Sequence, residues 1–153
     1  MSLTIEPDFL SIFEALPGCY VILTPKFDMV AATKAYYEAT LTTPKVLLGN
    51  NVFDIFPEDA EHLAPGEGKD LTFSLNLVLR TKKPHTIPLQ RYDLDVRAHG
   101  EHKLLERWWR QTNIPVLNDK GELIYIINAV EDVTDMLRTL ENAQESIKRL
   151  HSK

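Results

Sequence analysis

The spacing of apolar residues changes along this chain, and the changes mark out its elements. Within residues 6–18, Phe9, Ile12, Phe13 and Leu16 recur at helical spacing, and Pro17-Gly18 ends the run. "CYVILT" (19–24) is a short, apolar, β-rich stretch. "PKFD" turns it into "MVAAT" (29–33), and the pair predicts a hairpin. "KAYYEATL" (34–41) predicts a short helix carrying Tyr36 and Tyr37. "LLGNNVFDIFPED" (47–59) is broken at Gly49-Asn50-Asn51 and stopped by Pro57, leaving room for one helical turn between loops. A polar Gly/Pro loop follows at 60–69. Asp70 then stands as an N-cap for "LTFSLNLVLRTKK", whose Leu71, Leu75, Val78 and Leu79 line one face.

Past residue 85 the period falls to two. "TIPLQRYDLDV" (86–96) sets Tyr92, Leu94 and Val96 against Arg91, Asp93 and Asp95, and "RAHGEH" (97–102) turns it back into "KLLERWWRQTNIPVL" (103–117). "NDKG" (118–121) is a strong hairpin turn into the nearly all-apolar "ELIYIINAV" (122–130). Two strands, a helical middle and three consecutive antiparallel strands predict an α+β domain with a five-stranded antiparallel sheet. Trp108 and Trp109 point to opposite faces of one strand, so one faces the interior and the other a packing helix or a partner. No internal repeat, low-complexity stretch or interdomain linker interrupts the 153 residues.

Composition narrows the class. With 44% hydrophobic residues the chain can bury a core of its own. A net charge of -5 argues against a nucleic-acid surface, and the one basic cluster, "RTKKPH" (80–85), reads as a solvated loop. The single cysteine, Cys19, cannot form an internal disulfide, which fits a reducing compartment. No apolar run approaches the ~20 residues of a membrane span and no signal segment opens the chain, so the expectation is a cytoplasmic location without membrane contact.

The ending is distinctive. Val133, Met136, Leu140, Ala143, Ile147 and Leu150 follow one another at steps of 3, 4, 3, 4 and 3, the seam of a coiled coil. Glu145 and Arg149 stand four apart for an ion pair. A helix folding back on its own sheet calls for a wider apolar stripe, so the pattern predicts pairing with a second copy. Fewer than three heptads are present, which alone is marginal and fits the stub of a longer helix.

In this order the elements resemble the PAS sensor domain. "EDVT" (131–134) resembles that family's acidic-apolar-Thr junction between last strand and outgoing signalling helix. "FEALPGCYVIL" (13–23), "LLGNNVFDIFP" (47–57), "QRYDL" (90–94) and "NIPVLNDKGELIYIINAVEDVT" (113–134) are similar to PAS domains at the front of bacterial two-component sensor histidine kinases. The resemblance covers about residues 9–140. It implies a PAS fold with short helices on one face of the sheet, divided into an N-terminal amphipathic helix (1–18), the PAS domain (19–134) and a coiled-coil signalling helix (135–153). It also implies a homodimer and an effector domain further along the parent chain. Asp132 and Thr134, able to bond nearby backbone, are the expected signal-relay residues that fix the angle between strand and helix.

The resemblance raises the question of a ligand. Flavin-type PAS domains carry a reactive cysteine in a helical Asn-Cys-Arg stretch, whereas Cys19 heads the first strand. Haem-binding members use a histidine on the long middle helix, and "DLTFSLNLVLRTKK" has none. Both cofactors are therefore disfavoured, and His62, His85, His99 and His102 show no metal-ligand spacing. A small molecule is the open alternative. Polar residues in apolar strands mark its candidate site, since burying them unpaired is costly: Asn128 first, then Asn113, Gln90 and Arg91. Tyr36, Phe53, Tyr92 and Trp109 are candidate lining residues. An inward-reaching Arg91, Arg107 or Arg110 would indicate a carboxylate ligand.

Enzymatic readings lack support. There is no nucleophile motif, His-Asp pair or phosphate-binding glycine loop, and "APGEGKD" (64–70) has neither P-loop spacing nor a preceding strand. His151 lacks the neighbours of a phospho-accepting histidine. Two functions stand: a sensor or input domain of a signal-transduction protein, or a ligand-free dimerisation module in another regulator such as a transcription factor or cyclase.

Overall fold

The computed structural model describes residues 7–58, 70–95 and 104–152. The expected 60–69 loop, the 97–102 hairpin tip, the ends of strands at Val96 and Lys103, and His62, His99 and His102 lie outside those residues. The elements run α1 (Phe9–Glu14), β1 (Cys19–Leu23), β2 (Met29–Ala32), α2 (Lys34–Thr40), α3 (Pro44–Leu47), α4 (Val52–Ile55), α5 (Asp70–Thr81), β3 (His85–Arg91), β4 (Leu94–Asp95), β5 (Leu104–Leu105), β6 (Trp108–Leu117), β7 (Leu123–Asp132) and α6 (Thr134–His151).

Five strands form one antiparallel sheet in the order β2-β1-β7-β6-β3. The last strand therefore lies at the centre, paired with the first on one side and with β6 on the other. Each of its ladders fixes the register: Val21 faces Asn128 across β1 and β7, and Asn128 faces Asn113 across β7 and β6. Alternation then turns Val21, Leu23, Ile126, Asn128, Asn113 and Trp109 toward one face, all of them buried. Helix α2 packs on β1 and α5 on β3 and β6. Tyr36, Leu47, Val52, Leu71, Leu75 and Val78 complete the core from the helical side.

Two strands differ from expectation. The runs at 86–96 and 103–117 are each divided: among the described residues β4 and β5 pair with one another as a two-stranded ribbon, separate from the main sheet. The cause is Asp93, whose carboxylate binds Arg91 through two bonds of 3.1 Å and also accepts the Arg107 N–H. That side chain takes up one backbone group, the Arg107 N–H, that a ladder would otherwise use. Upstream, Pro88 has no N–H to give, and the β3–β6 register shifts between Ile87 and Gln90. The bulge brings Ile87 and Gln90, three residues apart, to the same buried face.

Turns and caps explain the rest. Asn118 Oδ1 accepts the Lys120 and Glu122 N–H groups, and Gly121 supplies the positive φ of 77° that closes the β6–β7 turn. Thr33, fully buried, accepts the Tyr36 N–H at the start of α2 and donates to the Gly18 carbonyl. For α5 the expected cap is corrected: Asp70 lies within the helix, as its first described residue, and is not the cap. The Glu58 carboxylate accepts the N–H groups of Leu71 and Thr72 and the Thr72 hydroxyl, at 3.3, 2.9 and 2.6 Å. A negative charge there also faces the positive end of the helix.

Glu58→Ala removes those three bonds. The urea midpoint is expected to fall by the equivalent of about 1–2 kcal/mol with an unchanged slope; a midpoint equal to that of the parent chain would show that Glu58 does not cap α5.

Candidate functional site

Between the sheet and its helices lies a cavity of ≈ 50 Å³, measured as the space open to the centre of a water-sized sphere. One such sphere needs about 10–15 Å³, so the space admits a few waters or a ligand of a few heavy atoms. Of the residues singled out from sequence, Tyr36, Gln90, Tyr92, Trp109 and Asn128 line it. Phe53 does not; its ring packs edge-on against Phe27 at 6.0 Å, below the β1–β2 turn. Asn113 stands behind Asn128, fully buried, with no surface on the cavity. Gln111, Phe56, Glu58 and Val130 also line the cavity and were not anticipated. Gln111 carried a signal, since it lies two residues from both Trp109 and Asn113 and so shares their face.

The aromatic wall is built edge to face. Phe56 meets Tyr36 at 6.4 Å and Tyr92 at 6.2 Å, both nearly perpendicular. Tyr92 donates its hydroxyl to the Pro57 carbonyl, while its own carbonyl accepts the Trp109 indole N–H at 2.8 Å. That bond decides the tryptophan question: Trp109 is the inner one, and Trp108 is half-buried with its indole on Glu106.

A row of amides forms the floor. Gln111 donates to Gln90, Asn128 donates to both Gln111 and Asn113, and Asn113 donates to Ser74 Oγ, at 3.1, 3.2, 2.7 and 2.8 Å. Ser74 Oγ lies 2.7 Å from His85 Nδ1. Three strands and α5 are thus tied through side chains at 3% exposure or less for Gln90, Asn113, Asn128 and Ser74. Pairing is what makes polar groups tolerable at such depth.

Tyr36 is different. Its hydroxyl is buried beside the cavity without a hydrogen-bond partner among the described residues. Burial pushes it well above the usual tyrosine range, and neighbouring Cys19 and Tyr37 add to the effect. Burial likewise raises the Cys19 thiol, followed by the Asp132 and Glu38 carboxylates. Cys19 stays protonated at neutral pH, donating to the Ala35 carbonyl at 3.4 Å. Among the described residues no group of three His, Cys, Asp or Glu side chains is placed to hold a metal ion. None of the three arginines reaches the cavity: Arg91 binds Asp93, Arg107 lies 3.4 Å from Asp132, and Arg110 binds Glu131.

The second element of the site is the joint from β7 into α6. Asp132 Oδ1 accepts both the N–H and the hydroxyl of Thr134, at 3.0 and 2.6 Å. Thr134 Oγ1 in turn accepts the Trp108 N–H at 2.8 Å, and the Trp108 carbonyl accepts the Val133 N–H at 2.8 Å. Neither side chain is the formal N-cap; that position is Val133, which has no capping side chain. Beyond the joint, Met136, Leu140, Ile147 and Leu150 are 48–75% exposed and Ala143 is exposed with them. Val133 corrects the expected seam. At 3% exposure it is already packed in its own domain, because the Trp108 bond draws its backbone onto β6. The Glu145–Arg149 pair forms at 3.6 Å but is largely solvated and adds little. No described helix is long and apolar enough to cross a membrane.

A family model described as PAS fold matches residues 13–138. No curated protein matches the chain. Among solved structures, the PAS domain of a protein from Colwellia psychrerythraea is 13% identical with a TM-score of 0.59, the match covering 82% of this chain and 93% of that one. A sensory box sensor histidine kinase from Vibrio cholerae is 17% identical at a TM-score of 0.52, over 81% and 87%. The PAS domain of Bordetella pertussis BvgS is 20% identical at 0.50, over 90% and 95%.

A group held protonated by the fold stabilises it fully below its unfolded pKa and ceases to as pH climbs through the native value. Stability is therefore expected to fall from about pH 9, where an unfolded cysteine ionises, and more steeply above about 10, where an unfolded tyrosine does. In Tyr36→Phe the steeper part should flatten, read by thermal melts between pH 8 and 11; identical alkaline profiles would rule out a buried Tyr36 hydroxyl.

Proposed function

Because this chain belongs to the PAS fold family, we propose that it is a cytoplasmic sensory module that converts the state of its cavity into the geometry of a helix pair. The observation that carries this reading is the sharing of one strand pair by both sites. Trp109 and Asn128 line the cavity, and four residues further along β7 the chain reaches Asp132, whose neighbours bind the backbone of Trp108. An occupant pressing on Trp109 moves the peptide next to Thr134. The helix that starts there leaves the sheet with Met136, Leu140, Ala143, Ile147 and Leu150 uncovered.

A second copy is the natural cover for that stripe. In a heptad reading Leu140 and Ile147 take the a positions, Met136, Ala143 and Leu150 the d positions. The charges Arg138, Glu141, Glu145, Lys148 and Arg149 all fall outside the flanking e and g positions, so no like charges meet across a parallel in-register pair. The parent protein in this proposal is a two-component histidine kinase, with the helix continuing toward the effector. That choice is supported by kinship of fold with sensor histidine kinase domains. The modest cavity favours one other reading, a ligand-free dimerisation module whose fold only sets helix register.

Sedimentation equilibrium separates the mechanical part of the proposal from its competitors. Residues 1–153 should populate a dimer that weakens at least tenfold in Leu140→Asp and is lost in a chain ending at 134; a monomer throughout would remove the helix pair. Asp132→Ala should leave the sheet folded, at a cost of about 1 kcal/mol, while hydrogen exchange accelerates at residues 133–138. Global unfolding instead would reduce Asp132 to a structural cap.

A further inference from the structure

Resting on that reading of the cavity as the sensory site, we infer that its ligand is small and uncharged and carries a hydrogen-bond donor and acceptor side by side, as a primary amide or a urea does. The two ends of the amide row are incompletely bonded. Gln90 receives a bond on its carbonyl while its NH₂ has no partner among the described residues, and Asn128 gives both amide hydrogens while its carbonyl has none among them. Both side chains are 3% exposed or less and both line the cavity. Two residues lining the same space thus carry one unpaired donor and one unpaired acceptor between them.

Either orientation of the amides leaves the same pair of groups. Ser74 and His85 at the far end can each give or take a proton, so every amide in the row can be reversed together. Reversal makes Asn128 the free donor and Gln90 the free acceptor. One of each still faces the cavity. The unpartnered Tyr36 hydroxyl, able to play either part, lies on the same lining.

Charge is excluded by what surrounds them. Glu58, the one described lining residue with a formal charge, has its carboxylate committed to three donors at the start of α5. The arginines that would recognise an anion are bound to carboxylates elsewhere. Val52, Phe56, Leu71 and Val130 supply only apolar surface. An ion entering this space would lose its hydration and meet, among the described residues, only a carboxylate already satisfied by three donors, at a cost several times that of a neutral polar group. A neutral ligand instead satisfies three groups that have no partner among the described residues.

Three probes of nearly the same size and shape isolate the claim: acetamide, acetate and acetamidinium. Each is titrated into the ¹⁵N-labelled 153-residue chain and followed by the side-chain amide signals of Gln90, Gln111 and Asn128 and the Trp109 indole signal. Acetamide is expected to shift these saturably in the millimolar range, consistent with about four heavy atoms, while the two ions leave them in place. Tyr36→Phe removes an oxygen with no partner, so the fold is retained, and acetamide should bind about three- to tenfold more weakly. Binding of acetate or acetamidinium as tight as that of acetamide overturns the inference while leaving a sensory cavity in place. No saturable shift from any probe overturns both the inference and the cavity as a ligand site, and leaves the helix pair to the sedimentation result.

Discussion

A strand hydrogen-bonded along both edges cannot move alone, and in this fold that strand is the last one. β7 lies between β1 and β6, so its position is held by five paired residues on one side and nine on the other rather than by the packing of an edge. Everything C-terminal to it starts from a fixed direction. The joint converts that direction into the start of a helix through bonds that close a small circuit: Asp132 to Thr134, Thr134 to Trp108, Trp108 back to Val133. None of these contacts is strong by itself. Their value is geometric, since the two strands and the helix share the same few atoms.

The cavity lies next to this circuit, its lining residue Trp109 following Trp108 in the chain. Its floor is polar in a sheet that is otherwise apolar inside, and the polarity is organised: side chains from β3, β6 and β7 are bonded in series and end on α5. Such a row gives the core one preferred arrangement at the cost of needing every member paired. Asn113, in the middle, is where the row is least able to tolerate loss, because Asn128 and Ser74 would both lose a partner at full burial.

Much of this was legible in the sequence, for identifiable reasons. Strand alternation and the "NDKG" turn are local signals, and they located the β6–β7 hairpin whose register the structure gives. The heptad stripe after Thr134 and the Glu145–Arg149 pair are equally local. Asn128 stood out as a polar residue in an apolar strand, and it lines the cavity. What escaped were effects of residues distant in the chain. Glu58 caps a helix that begins twelve residues later, Asp93 divides two strands by binding Arg91 and Arg107, and Val133 is drawn inward by a bond to Trp108. Phe53 was assigned to the cavity by residue type alone, and only the turn at Phe27 shows where its ring goes.

The bulge at Pro88 has a bearing on how copies of this chain can meet. β3 is one border of the sheet, and there Pro88 offers no N–H while the register slips beside it. The opposite border, β2, is only four residues long. Neither rim can template continuous pairing with another molecule's strand, so stacking into extended ribbons is blocked on both sides. The exposed apolar side chains of the emerging helix, Met136, Leu140, Ile147 and Leu150, are by contrast open to a contact that involves no sheet backbone.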